Sequence, residues 1–196
     1  MISEEAGKAL LRLVENGVSE SAERLATLSG TAWQTQTVSI REVSADKLLD
    51  AGAGPDHEQH GSYFAMPGGV FLVMFPKTNS ARLVEAFASK AKSKPEMSEF
   101  WVQNTLAEIA NVIVHAVANT LADACGDVFF LSAPSNSVGK RQNLVRDAPN
   151  RFERSGKAFV LMAYVCMQSE DLSSDCSFVL MLSAQRRDKL LKALES

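Results

Sequence analysis

Residues Glu96 to Pro134 read EMSEFWVQNTLAEIANVIVHAVANTLADACGDVFFLSAP, and most of this stretch predicts one long helix. Met97 to Ala124 contains no Pro and no Gly, and Val102, Leu106, Ile109, Ile113 and Val117 recur at the three- and four-residue intervals of a buried helical face. At about 100° per residue, Asn104, Glu108, Asn111, His115 and Asn119 share a narrow arc on the opposite side, with Ala107, Ala118 and Ala122 around them. A solvated face would ordinarily carry Glu–Lys pairs at i,i+4, yet Glu96 to Cys125 holds no Lys or Arg. Asn is also a poor helix-interior residue, because its amide competes for backbone hydrogen bonds. A carboxylate and a carboxamide three residues apart on one face, with no cation on their own helix, look like groups presented to a partner.

Asn104, Glu108, Asn111 and Pro134, with twenty-two residues between the last two, resemble the motif of the CheC and CheX phosphatases of bacterial chemotaxis. That motif is Asp or Ser, three residues, Glu, two residues, Asn, twenty-two residues, Pro. The chain departs from it at the first position, where Asn104 keeps hydrogen-bonding capacity and loses the charge of Asp. The segment LAEIANVIVHAVANTLADACGD adds the family's Glu-Ile-x-Asn core, small-residue helix and following Gly. The resemblance implies an α+β, layered fold: a CheC-like duplicated helix–strand–hairpin–helix unit with pseudo-twofold symmetry, long helices packed on a mainly antiparallel sheet.

The chain in order agrees with such a duplication. Ser3, Glu4 and Glu5 open a first helix ending near Gly30. Thr31 to Val43 reads as a strand, Ser44 to Ser62 as a loop, and Ser62 to Pro67 with Val70 to Phe75 as a hairpin about Pro67-Gly68-Gly69. Thr78 to Lys92 predicts a helix behind an Asn79 or Ser80 cap, stopped by Lys94-Pro95. After the long helix come a strand at Asp127 to Ala133, a polar segment at Ser135 to Gly156, strands at Lys157 to Gln168 and Cys176 to Ser183, and a helix at Arg186 to Leu194. VFLVMFPKTNSARLVEAF from Val70 aligns with SFVLMLSAQRRDKLLKAL from Ser177. The expectation is one domain, 1–196, with pseudo-repeat halves 1–95 and 96–196.

Composition bounds the alternatives. At 196 residues, 46% hydrophobic and 22% charged, the chain is long enough for a sizeable globular core. Acids stand where a signal peptide carries its basic leader, and no apolar run approaches about 18 residues, so a cytoplasmic protein off the membrane is expected. Cys125, Cys166 and Cys176 lack CxxC spacing and predict neither a disulfide nor a structural zinc. His57 and His60 lack a third ligand nearby and read as loop polarity. SNSVGKRQ is no phosphate loop, since Pro134 stands at the first Gly position and Arg141 follows Lys140.

Function then divides into two expectations. The resemblance implies a hydrolase that removes the aspartyl phosphate of a CheY-like response regulator in chemotaxis or two-component signalling. An acyl phosphate is already activated, so its hydrolysis needs a water placed in line more than a strong base. Asn111 would orient that water, Glu108 would pair with the regulator and fix register, Asn104 and His115 would support the contact, and Pro134 would shape the site. Mg²⁺ would be held by the partner, leaving this chain without a cofactor of its own. The other expectation is a non-catalytic adaptor of the same fold that grips a signalling protein. In the first helix the equivalent positions are Arg12 and Glu15, so one site per chain is expected. Ser135 to Lys157 carries Lys140, Arg141, Arg146, Arg151, Arg154 and Lys157 against Asp147 and Glu153, an excess of four positive charges. Lys140, Arg141 and Arg146 are candidates for steering an acidic regulator. Nucleic-acid binding is disfavoured by the net charge of −3, and a homodimer is compatible with the pattern.

Overall fold

In the computed structural model the described residues are 3–44, 57–88, 98–151, 159–169 and 174–194. Their order is α1 (Glu4–Ser29), β1 (Trp33–Ser44), β2 (Glu58–Met66), β3 (Gly69–Pro76), α2 (Lys77–Ala88), α3 (Glu99–Cys125), β4 (Ser135–Lys140), α4 (Arg141–Asp147) with a 3₁₀ turn (Ala148–Arg151), β5 (Phe159–Ser169), β6 (Ser174–Leu182) and α5 (Ala184–Leu194). The two long helices start and stop alike. The Ser3 hydroxyl accepts from the Ala6 N–H at 3.2 Å and the Ser98 hydroxyl from the Trp101 N–H at 3.3 Å. Gly30 at φ 75° and Gly126 at φ 57° close the helices in the left-handed conformation.

All six strands join one sheet in the order β1-β5-β6-β3-β2-β4, every pair antiparallel. The order reads the same from either edge once the halves are exchanged. Lys77 and Ala184, which open α2 and α5, stand 107 residues apart, the offset of the Val70–Ser177 alignment. Leu72 and Val179 share that offset and lie directly opposite each other in the β3–β6 ladder. The dyad therefore passes through this pair. Phe71 and Phe178, also equivalent, stack with ring centroids 5.5 Å apart.

One sheet face buries Phe64, Phe71, Val73, Phe75, Phe178 and Leu180 against α1 and α3. Val102, Leu106, Ile109, Ile113 and Val117 of α3 are each 7% exposed or less, as their spacing predicts. The other face packs Tyr63, Leu72, Met74 and Met181 against Leu144 and Val145 of α4, and the Tyr63 hydroxyl donates to the Leu144 carbonyl at 3.0 Å. By length and composition α3 could cross a membrane, but it is mostly buried here, as a core helix is.

Several boundaries differ from the sequence reading. Asp127 to Ala133 is not a strand; pairing with β2 begins at Ser135, inside the segment read as polar. The VFFL run splits its side chains, Phe129 and Leu131 packing on the core while Val128 and Phe130 are 62% and 73% exposed. The next residue, Ser132, donates its N–H to the Ala65 carbonyl of β2 at 2.8 Å. Edge pairing, rather than apolar content, makes SNSVGK the strand. β2 starts at Glu58, four residues before the expected Ser62, because Glu58 pairs with Lys140 on β4 and residues 59–62 find ladder partners on both sides. α2 opens at Lys77, ahead of the expected Asn79 or Ser80 cap, and the Ser80 hydroxyl donates back to the Pro76 carbonyl at 2.9 Å. The Lys94-Pro95 stop and most of the 44–62 loop lie outside the described residues.

Candidate functional site

α3 holds the candidate residues on a rigid support. Asn104, Glu108, His115 and Asn119 are exposed and Asn111 is half-buried, along one line of the helix. Among the described residues no hydrogen bond or ion pair engages the side chains of Asn104, Glu108, Asn111 or His115. Ala107, Ala118 and Ala122 are buried and pack inward instead of framing the line at the surface. The arrangement presents a carboxylate acceptor and, one turn away, a carboxamide that both donates and accepts. That combination suits docking and water positioning. Among the described residues no group of three or more His, Cys, Asp or Glu side chains is arranged to hold a metal.

The first half carries no second copy of this pair. Gly30 and Gly126 stand ninety-six residues apart, and that offset sets Arg12 opposite Glu108 and Glu15 opposite Asn111. Both are exposed, and nearby Lys8 is paired with Glu4 at 2.6 Å. The same offset sets β4 against Ser39–Ser44 of β1, which confirms the alignment independently.

The remaining sequence candidates scatter. Pro134 is exposed and immediately precedes β4. Lys140 ends that strand, and Arg146 is exposed on α4, donating to the Asn143 side chain at 2.9 Å. Because α4 covers the sheet face opposite α3, Arg146 and the stripe lie on different sides of the sheet. Arg141 is only 8% exposed, so its charge is withheld from solvent. Arg154 and Lys157 lie outside the described residues. His60, expected as loop polarity, is buried within β2 at 5% exposure. Alternation along EQHGSYFAM could have placed it inward.

Sequence reading also missed the tie that secures the far end of α3. Asp127 accepts from Arg186 at 2.8 Å and from Lys189 at 2.7 Å, both on α5, and the Arg186 guanidinium lies 4.3 Å from the Phe129 ring centroid. The Lys189 bond, then the Val128 N–H, then the charge of Arg186 hold the Asp127 carboxyl at about 2 against the ordinary 3.8. A depressed carboxyl contributes stability that is present above its unfolded value and lost as pH falls through the folded one. Asp127→Asn is therefore expected to lower the denaturant midpoint at neutral pH. Its deficit should shrink as pH falls from about 4 towards 2, which paired urea titrations over that range measure.

No family model and no curated protein matches the sequence. Solved structures do match. FliY of Thermotoga maritima is 16% identical with a TM-score of 0.74, covering 100% of this chain and 98% of that one. FliM in the FliG–FliM complex of H. pylori is 11% identical at 0.65, covering 97% and 100%. The chemotaxis protein CheX of Desulfovibrio desulfuricans is 11% identical at 0.56, covering 88% and 99%. The chain has the CheC-like fold, as the Glu108–Asn111–Pro134 resemblance implied.

Proposed function

We propose that this chain is a phosphatase of the aspartyl phosphate on a CheY-like receiver domain, working through one site on α3. The observation that carries the reading is the placement of Glu108 and Asn111. They stand one turn apart on an exposed line, with no partner of their own among the described residues, on a helix whose other face is core. Glu108 pairs with a cation of the receiver and sets the register. Asn111 enters the receiver's site and holds a water in line with the carboxylate leaving group. The water oxygen attacks phosphorus, the phosphorus–oxygen bond to the aspartyl carboxylate breaks, and inorganic phosphate departs with the carboxylate restored. Mg²⁺ belongs to the receiver and neutralises charge on the phosphoryl oxygens. His115 and Asn104 extend the contact along the helix, and Pro134 shapes its edge.

A second reading is favoured by one finding. FliM, seen in complex with FliG, matches with a higher TM-score than CheX, so a non-catalytic adaptor that holds a signalling protein on the same stripe also fits the fold. The two readings separate in one assay. Decay of a phosphorylated CheY-like receiver with Mg²⁺ is followed by direct loss of phosphate, with and without this protein. Faster decay supports the phosphatase; binding of the phosphorylated receiver at an unchanged decay rate supports the adaptor. Neither binding nor faster decay would sink both.

A further inference from the structure

His60 lies where three elements begin. It sits near the start of β2, beside Lys77 at the start of α2 and Glu99 in the first turn of α3. Its ladder neighbours are Phe75 on β3 and Val138 on β4, neither of which brings charge. The side chain is 6% exposed, and its Nδ1 has no hydrogen-bond partner. The nearest carboxylate, an Oε1 of Glu99, stands 3.8 Å away, too far for a hydrogen bond, and the Glu99 side chain is itself 59% exposed. Glu58 and Lys77 are paired with each other at 3.3 Å. Buried polar atoms are nearly always satisfied, so an orphaned ring nitrogen facing a half-solvated carboxylate across a short gap calls for an explanation.

We propose that His60 is a proton-operated release for the first turn of α3. Neutral, the ring packs beneath the helix start. A proton on Nδ1 adds a donor and a charge that the buried position cannot solvate; the imidazolium moves out along the gap towards the Glu99 carboxylate and water, and the contact between β2 and the helix start opens. The charges facing His60 fit this. Burial holds its imidazole below the ordinary 6.5, Glu99 opposes that, Lys77 reinforces it, and Glu58 opposes it weakly. A base whose pKa is lower in the closed state favours closure at high pH, and the closed form loses ground as pH falls below the open-state value. The device acts on the helix that carries Glu108 and Asn111, whatever those residues do.

Amide hydrogen exchange tests this on the intact chain. Protection at residues 101–103, the first bonded amides of the helix, corrected for intrinsic exchange, is expected to fall about tenfold between roughly pH 7.5 and pH 5.5, the ceiling for one histidine opening near its ordinary value. In His60→Gln the fall should vanish, although His57 and His115 remain. In Glu99→Gln, which removes the opposing carboxylate, the midpoint should move to lower pH. Protection independent of pH in the wild type, or a fall that persists in His60→Gln, would overturn the proposal. Should His60→Gln not fold, Glu99→Gln decides alone, and an unmoved midpoint overturns it.

Discussion

Replacing Asn111 by alanine is expected to return a phosphorylated receiver to its own rate of decay while the protein still binds it and is, if anything, more stable. Stability and activity part company because the Asn111 side chain makes no hydrogen bond among the described residues and is half-exposed. Alanine improves helix propensity by about 0.6 kcal/mol and leaves no orphaned partner. The activity lost is the positioning of one water, a contribution of order 10² or more when an oriented side chain supplies it. Glu108→Ala should fail differently, weakening association more than the rate within the complex. Acceleration that survives in Asn111→Ala would remove the carboxamide from the mechanism, even if wild-type activity stood.

Gly17→Val should be strongly destabilising to the helical layer. Gly17 is buried in the middle of α1, where a helix normally resists glycine by about 1 kcal/mol. A Cβ there would sit 2.7 Å from the Cα of Val117 and 3.2 Å from the Thr120 hydroxyl oxygen, both on α3. The obstacle is backbone, which cannot swing aside, so α1 and α3 must separate. Overpacking of this kind costs about 3 kcal/mol, well above the few tenths that helix propensity returns. For a chain of this size that is a Tm lower by roughly 6–12 °C. A Tm within a degree of wild type would mean that the crossing is looser than described.

What was legible in the sequence was local. The cap at Ser3, the end of α1 near Gly30, the apolar spacing of α3 and the Pro67-Gly68 turn each lie within one or two elements. The exposed line through Glu108 and Asn111 follows from helical period alone, and the structure places it as the period requires. Errors came where pairing across the chain overrode composition. VFFL has the β-forming residues, yet SNSVGK has the ladder, because β2 offers its edge there. HEQH carries loop residues, yet β3 and β4 flank it and draw His60 inside. Arg141, apparently one charge among several in a basic run, is buried. The tie from Asp127 to Arg186 and Lys189 joins residues some sixty positions apart, and nothing near Asp127 announces it.

The interleaved sheet also fixes a timetable for the growing chain. β1 leaves the ribosome early, but its ladder partner is β5, and β5 reaches the rest of the sheet only through β6. β2, β3 and β4 can zip together as soon as β4 has been made. Throughout that interval the twelve residues of β1 carry an open hydrogen-bonding edge while three strands of the same sheet are already paired. A nascent chain stalled after β4 would therefore hold β1 without its ladder partner and the apolar β3 with one edge open, until β5 and β6 close the sheet.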